Sequence, residues 1–301
     1  MQLIILGYGN MAKAILAGLL RQKKDILGIT NIVIMGRNPS KITPFLESFF
    51  TQNESEYKDS ITLQATNSIK CDGSEILLAC KPNNLSEFSF NGVAEIVYSV
   101  LAGVTISNIK SHIDSKHFVN IMPNVAAHFG LSANAVLWEH DKLKIKTIKQ
   151  AGAVLNALVD NDNNLQEVRS KYLSEVKSRI ESFVKSFGNC VFVESQKELN
   201  ASIATNGSSP AVLALVAQGL INAGVASGLK LESSRELVAQ TFLGIAKLLA
   251  EKSPQEIKDS ITSPGGTTAQ ALLYCDIHGV QGHIAQGLIN AVKKAESFQK
   301  G

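Results

Sequence analysis

Three stretches of this sequence hold residues whose types and order point to chemistry. The first is Gly7-Tyr8-Gly9-Asn10-Met11-Ala12, directly behind the apolar run Leu3-Ile4-Ile5-Leu6. It reads G-x-G-x-x-A at a predicted strand-to-helix turn, a pattern that suits a dinucleotide. Gly7 allows a tight turn. Gly9 lacks a Cβ, so backbone can approach a pyrophosphate, and Ala12 lets helix and strand pack closely. The helix predicted over Asn10–Arg21 then offers free N–H groups and its positive dipole end to phosphates. The second predicted strand ends Met35-Gly36-Arg37-Asn38, with Ser40 and Lys41 beyond. No carboxylate stands where an NAD site holds its ribose hydroxyls. Arg37 is placed to pair with a 2′-phosphate, so NADPH is the expected cofactor, with NADH also allowed.

Two further loops follow predicted strands, at the ends where open α/β sheets bind ligands. They are Ala79-Cys80-Lys81-Pro82-Asn83 and Asn120-Ile121-Met122-Pro123-Asn124. Read alone, Lys81 could be a surface lysine and Asn124 a turn former. The third chemical stretch is Thr262-Ser263-Pro264-Gly265-Gly266-Thr267-Thr268. A turn, two hydroxyls and a helix start present N–H and O–H donors together, which suits a carboxylate. The same residues would also serve as an ordinary capped helix start.

These loops need a scaffold. Strands are predicted at Leu3–Leu6, Asn31–Met35, Glu75–Cys80, Glu95–Leu101, Phe118–Met122 and Ala135–Trp138, with a weaker one at Ile61–Ala65. Runs such as Ile76-Leu77-Leu78-Ala79 are continuously apolar, as in parallel strands covered on both faces. Asp160–Asn164 reads as a polar loop. A charged helix follows, roughly Leu165–Phe187, stopping at Gly188 as a C′ glycine. Cys190–Val193 is the last strand. Helices are then expected at Pro210–Gly228, Ser233–Lys252, Gly266–Tyr274 and Gly279–Phe298. Strands followed by helices imply two domains, 1–196 and 197–301, the first an α/β dinucleotide-binding domain and the second all-helical.

Composition narrows the class. Apolar residues make up 45% and charged ones 18%, enough for a sizeable core. A formal net charge of +3 with no basic cluster argues against a nucleic-acid partner. The four cysteines, Cys71, Cys80, Cys190 and Cys275, have neither zinc nor disulfide-framework spacing. No metal is expected, and a reducing, cytoplasmic setting fits. Met1-Gln2 leads straight into an apolar run without a basic segment, unlike a signal peptide. Ala211 to Leu229 carries no charge but includes Gln218, Asn222 and three glycines. It is expected to be a helix buried on all sides, in the core of a two-fold dimer, rather than a membrane span.

Beyond the third stretch, other segments are suggestive: Leu101-Ala102-Gly103-Val104, Met122-Pro123-Asn124 and Ala239-Gln240-Thr241-Phe242-Leu243-Gly244. Together with Gly7–Met11, Lys81-Pro82 and above all Thr262–Thr268, they make the chain resemble the pyrroline-5-carboxylate reductases nearly end to end. That resemblance implies a Rossmann-like domain followed by an all-helical dimerisation domain. It implies reduction of the cyclic imine Δ1-pyrroline-5-carboxylate to L-proline by a homodimer, or by a larger oligomer built from dimers. Cofactor-binding positions would be Gly7, Gly9, Asn10, Met11, Arg37, Ala79, Lys81, Pro82, Ala102, Gly103 and Asn124. Ser263, Gly266, Thr267 and Thr268 would hold the substrate carboxylate, and the Thr268 hydroxyl would reach the ring nitrogen as the catalytic group.

The chain departs from that family's pattern in places. It has Asn120 where an Arg is frequent, Val125-Ala126-Ala127 where Thr-Pro-Ala is frequent, and Asn206-Gly207-Ser208-Ser209 in place of Ser-Gly-Ser-Gly. The region between Trp138 and Phe187 is longer. Another imine reductase or a β-hydroxyacid reductase shares the architecture, but the latter places a catalytic Lys on the helix entering its second domain. Asn206 to Val216 contains none. An inactive NADP-binding scaffold or sensor is the remaining alternative.

Overall fold

The computed structural model describes residues 1–141 and 162–298. The chain divides into two compact units, Met1–Gly207 with Lys294–Gly301, and Ser208–Lys293. The polar segment around Asp160 lies largely outside the described residues, and a helix begins at Asp162.

The first unit is built on an eight-stranded sheet. Its strands are β1 (Gln2–Leu6), β2 (Asn31–Met35), β3 (Ile61–Gln64), β5 (Ser74–Leu78), β7 (Val93–Ser99), β8 (Asp114–Met122), β9 (Ala135–His140) and β10 (Val191–Val193). β4 (Ser68–Lys70) and β6 (Ser89–Asn91) form a separate parallel pair, too short to show in the sequence pattern. The order across the large sheet is β10-β9-β8-β7-β5-β1-β2-β3. From β1 the chain builds outward on one side through β2 and β3, then returns to the other side at β5. The order therefore reverses between β1 and β5, and a crevice opens there at the carboxyl ends of the strands.

Alternation along each strand makes two cores. Leu3 and Ile5 face one layer, Ile4 and Leu6 the other, and all four are buried. The first layer includes Ile15, Leu16 and Leu19 of the helix Asn10–Leu20, with Ile180, Phe183 and Val184 of the helix Asp162–Lys185. Phe183 stacks on Tyr98 of β7 at 3.9 Å between ring centres. The second layer includes Ile106, Ile109 and Leu199.

Two details differ from the sequence expectation. The sheet is not wholly parallel, since β9 runs antiparallel to β8. The link from Pro123 to Asn134 holds only the 3-10 turn Val125–Phe129, so it turns back where a parallel partner would need a crossover helix. Gly188 is not a left-handed helix cap, because it is absent from the residues with positive φ. It is glycine because a Cβ there would collide with the backbone of Ser132.

The second unit is helical, with Ser209–Ala226, Leu231–Leu249, Pro254–Ile261, Thr267–Ile277 and most of Val280–Phe298. The helix Pro254–Ile261 is absent from the sequence expectation, although Ser253-Pro254-Gln255-Glu256 announces it. Ser253 and Glu256 form a reciprocal capping box, with Pro254 in the first turn. The helix Ser209–Ala226 has no buried residue among the described residues of one copy, so the cover expected for it in a two-fold dimer core is not supplied by a single chain. Leu213, Leu215 and Leu220 are exposed at 52%, 72% and 46%. The described residues of one copy do not cover them. By composition, the run Gln196–Ala226 is long and apolar enough to cross a membrane.

Candidate active site

Five loops at the carboxyl edge of the large sheet carry the expected cofactor residues. In sheet order they follow β2, β1, β5, β7 and β8. At the switch point the loops after β1 and β5 are locked together. The Ala79 N–H donates to the Leu6 carbonyl at 2.9 Å, and the Gly7 N–H to the Met35 carbonyl at 3.1 Å. Gly7 has φ +109°, and a Cβ on it would lie 2.5 Å from the Ala79 carbonyl oxygen. Only glycine fits this turn, both by conformation and by space.

Gly9 differs. Its φ is −75°, and a Cβ there would meet no protein atom within 4 Å. The protein leaves open space beside this backbone. Gly9 is also the N-cap of the helix Asn10–Leu20, with no side-chain cap bond and no acidic residue in the first turn. Its first N–H groups and its positive dipole end thus carry no counter-charge from that turn. An open approach beside uncapped N–H groups fits a dinucleotide pyrophosphate. Next to it, Asn10, Met11, Lys13, Ala14, Phe45, Val125 and His128 line a mainly apolar cavity of about 300 Å³.

Tyr8, whose type alone suggests no role, ties the first loop to the second. Its ring lies against Gly36, where a Cβ would sit 2.9 Å from Cε1. Its hydroxyl accepts the Asn38 N–H at 3.1 Å. The loop carrying Arg37 is therefore fixed to the glycine turn. Arg37 projects into solvent at 79% side-chain exposure, and its guanidinium donates to the Glu87 carboxylate at 2.9 Å. Glu87 ends the 3-10 turn Pro82–Glu87, which opens behind Lys81 with Pro82 at its start. Burial pushes the neighbouring Cys80 thiol up to about 11, so it stays protonated at neutral pH.

Asn120 is buried in β8, and its amide donates to the Val104 carbonyl at 2.8 Å. It pins the loop of Ala102 and Gly103, the latter at φ +76°. A departure from the family pattern thus has a structural use here. Asn124 caps the next turn, its side-chain oxygen accepting the Ala126 N–H at 3.0 Å. Asn206, another departure, donates to the carbonyls of Met122 and Ala133 at 2.6 and 2.8 Å. The contacts of Asn120 and Asn206 were invisible in the sequence because each joins positions distant in it, whereas the Asn124 cap is local.

In the second unit, Ser263, Pro264, Gly265 and Gly266 form a tight turn. The Gly266 N–H donates to the Ser263 carbonyl at 3.0 Å, and Gly265 has φ +71°. Proline followed by a left-handed glycine has the signature of a type II turn. Gly266 is the N-cap of the helix Thr267–Ile277, and no side chain makes a cap bond there. The hydroxyls of Ser263, Thr267 and Thr268 are not consumed as caps, which the sequence alone left open. A Cβ on Gly266 would lie 2.5 Å from the Ser263 hydroxyl, so any larger residue there would push that hydroxyl out of its position. The first helical turn carries no acidic residue, so nothing there repels a carboxylate.

Comparison with known proteins agrees with both units. A family model described as pyrroline-5-carboxylate reductase dimerisation matches residues 196–298. One described as NADP oxidoreductase, coenzyme F420-dependent, matches residues 2–103. A pyrroline-5-carboxylate reductase of Helicobacter pylori is 37% identical over 292 residues, covering 96% of each chain.

The chain belongs to the pyrroline-5-carboxylate reductase family.

A relative of that name from Synechocystis is 28% identical over 99% of this chain and 98% of its own. Solved structures agree in fold. A reductase of this family from Streptococcus pyogenes superposes with a TM-score of 0.72 at 22% identity, over 99% of this chain and 98% of its own. That from Plasmodium falciparum, with NADP bound, gives 0.64 at 21% identity over 99% and 100%. Membership explains the uncovered helices of the second unit. They belong to a dimerisation domain, and the chain assembles with copies of itself.

Proposed function

We propose that this chain reduces Δ1-pyrroline-5-carboxylate to L-proline, the last step of proline biosynthesis, with NADPH as donor and NADH as a second one. It works in the cytoplasm as a homodimer or a larger oligomer built from dimers. Residues 1–196 bind the dinucleotide, and residues 197–301 bind the substrate and the partner copy. The observation that carries the reading is the uncapped turn at Ser263–Thr268, whose hydroxyls and N–H groups form a carboxylate receptor.

A bound nicotinamide supplies the hydride, and the protein supplies orientation and charge placement. The turn after β1 and the start of the helix Asn10–Leu20 receive the pyrophosphate. Arg37 pairs with the 2′-phosphate. Lys81, Pro82, Ala102 and Asn124 surround the nicotinamide end. Ser263, Gly266 and Thr267 hold the substrate carboxylate, so the imine carbon is presented in one orientation. The Thr268 hydroxyl bonds the ring nitrogen, which is already protonated in the iminium and loses its positive charge as hydride adds to the neighbouring carbon to give the neutral ring amine. An iminium is already electrophilic, so this assignment needs no strong acid from the protein.

Purified protein mixed with Δ1-pyrroline-5-carboxylate and NADPH should oxidise the cofactor and form proline in equal amounts. Dinucleotide binding without proline formation would sink the reading and leave a binding scaffold.

A further inference from the structure

We infer that Glu87 is a specificity-determining residue that competes with the cofactor's 2′-phosphate for Arg37 and so narrows the preference for NADPH over NADH. This rests on the proposed reading of Arg37 as the phosphate reader. Arg37 follows β2, and Glu87 ends the turn that follows β5. These two strands flank β1, with Leu6 in register with both Met35 and Leu78. An ion pair between the two loops therefore bridges the end of β1, where Gly9 leaves open space for a dinucleotide. The guanidinium donates one N–H to a carboxylate at 2.9 Å, and that donor is one a phosphate would also use.

A phosphate arriving at Arg37 must displace Glu87 or share the guanidinium with it, and the two anions repel at such a distance. NADH brings no phosphate and asks no such displacement. The loop bearing Arg37 cannot easily move away, because the Tyr8 hydroxyl holds the Asn38 N–H. Among the described residues, Glu87 is also the only carboxylate that pairs with Arg37. Strand two ends without one, so the carboxylate that faces Arg37 comes from the turn after β5 instead.

The pair is exposed, so its effect is that of a surface ion pair, roughly three- to five-fold in affinity at low salt. The test is titration calorimetry of the full chain, without substrate, with NADPH and NADH separately. Glu87→Gln should tighten NADPH by several-fold and leave NADH within about two-fold, the gain shrinking as salt rises. In an Arg37→Gln background the same change should have little effect, because the competition has lost its object. An unchanged or weaker affinity of Glu87→Gln for NADPH overturns the inference, as does an equal change for both cofactors. If Arg37→Gln weakens neither cofactor, the phosphate-reading role itself fails, and the inference with it. Failure of proline formation is read in the separate turnover assay and leaves this binding result untouched.

Discussion

Arg179 grips Glu75 through two parallel N–H···O bonds of 2.8 and 2.9 Å. Glu75 lies in β5 and is fully buried, while Arg179 reaches it from the helix Asp162–Lys185. The bond joins the strand at the switch point to a helix about a hundred residues later. Burial pushes the Glu75 carboxyl up, and the guanidinium opposes that push.

Arg179→Met should destabilise the first unit by about 3–5 kcal/mol, since it strands a charge in the core. Replacing both residues, with Glu75→Leu, should recover most of that. The deficit of the single variant should shrink as pH falls toward 4, because protonating Glu75 removes the stranded charge. Urea unfolding of the three proteins at pH 4.5 and 7.5 measures this. Equal losses in the single and double variants would mean that the pair's charges do not matter.

His117 gives stability a pH dependence of opposite sign. It is buried in β8, with the Trp138 indole N–H donating to Nδ1 at 3.3 Å and Nε2 bonded to the Tyr172 hydroxyl at 2.9 Å. Burial chiefly, with His140 and Lys116 adding to it, holds the imidazole down at about 4. Between that value and the ordinary 6.5, the unfolded chain takes up a proton that the native ring refuses. This contribution is therefore complete above pH 6.5 and is lost as pH falls toward 4, by no more than about 3 kcal/mol. His117→Gln should flatten unfolding free energy against pH across that window. An unchanged slope would assign it to other groups.

The two glycines of the first turn should fail in different ways. Gly7→Ala meets both a left-handed φ and the Ala79 carbonyl, so it should lower the melting temperature and weaken NADPH together. Gly9→Ala meets no protein atom within 4 Å and has an ordinary φ. It should melt like the parent and lose cofactor affinity by at least ten-fold. Thermal unfolding and calorimetry on both separate these outcomes. A Gly9→Ala protein that binds NADPH normally would remove Gly9 from the site.

Thr268 and Ser263 carry different proposed roles, which steady-state kinetics can separate. Thr268→Ala should lower kcat as well as kcat/KM by about 2–4 kcal/mol, since its partner nitrogen changes during the reaction. Ser263→Ala should chiefly raise KM, because the carboxylate keeps its charge throughout. NADPH affinity should hold in both. A rise in KM with kcat intact in Thr268→Ala would leave it a binding residue only.

By itself the sequence determined whatever is written in neighbouring residues. The strand–turn–helix at Gly7–Ala12, the strand ladder through Val93–Ser99 and the long helices follow from periodicity and turn chemistry, which are local. So does the Ser263–Thr268 turn, where proline and glycine fix the backbone. The family likeness is legible for the same reason. Only the tertiary structure decided the relations between distant positions. The need for glycine at 188, the grip of Arg179 on Glu75 and the hold of Glu87 on Arg37 each join residues far apart in the chain. Such a contact leaves no periodic trace, because its partner is chosen by where the folded backbone delivers a side chain, and that position exists only once the sheet has assembled.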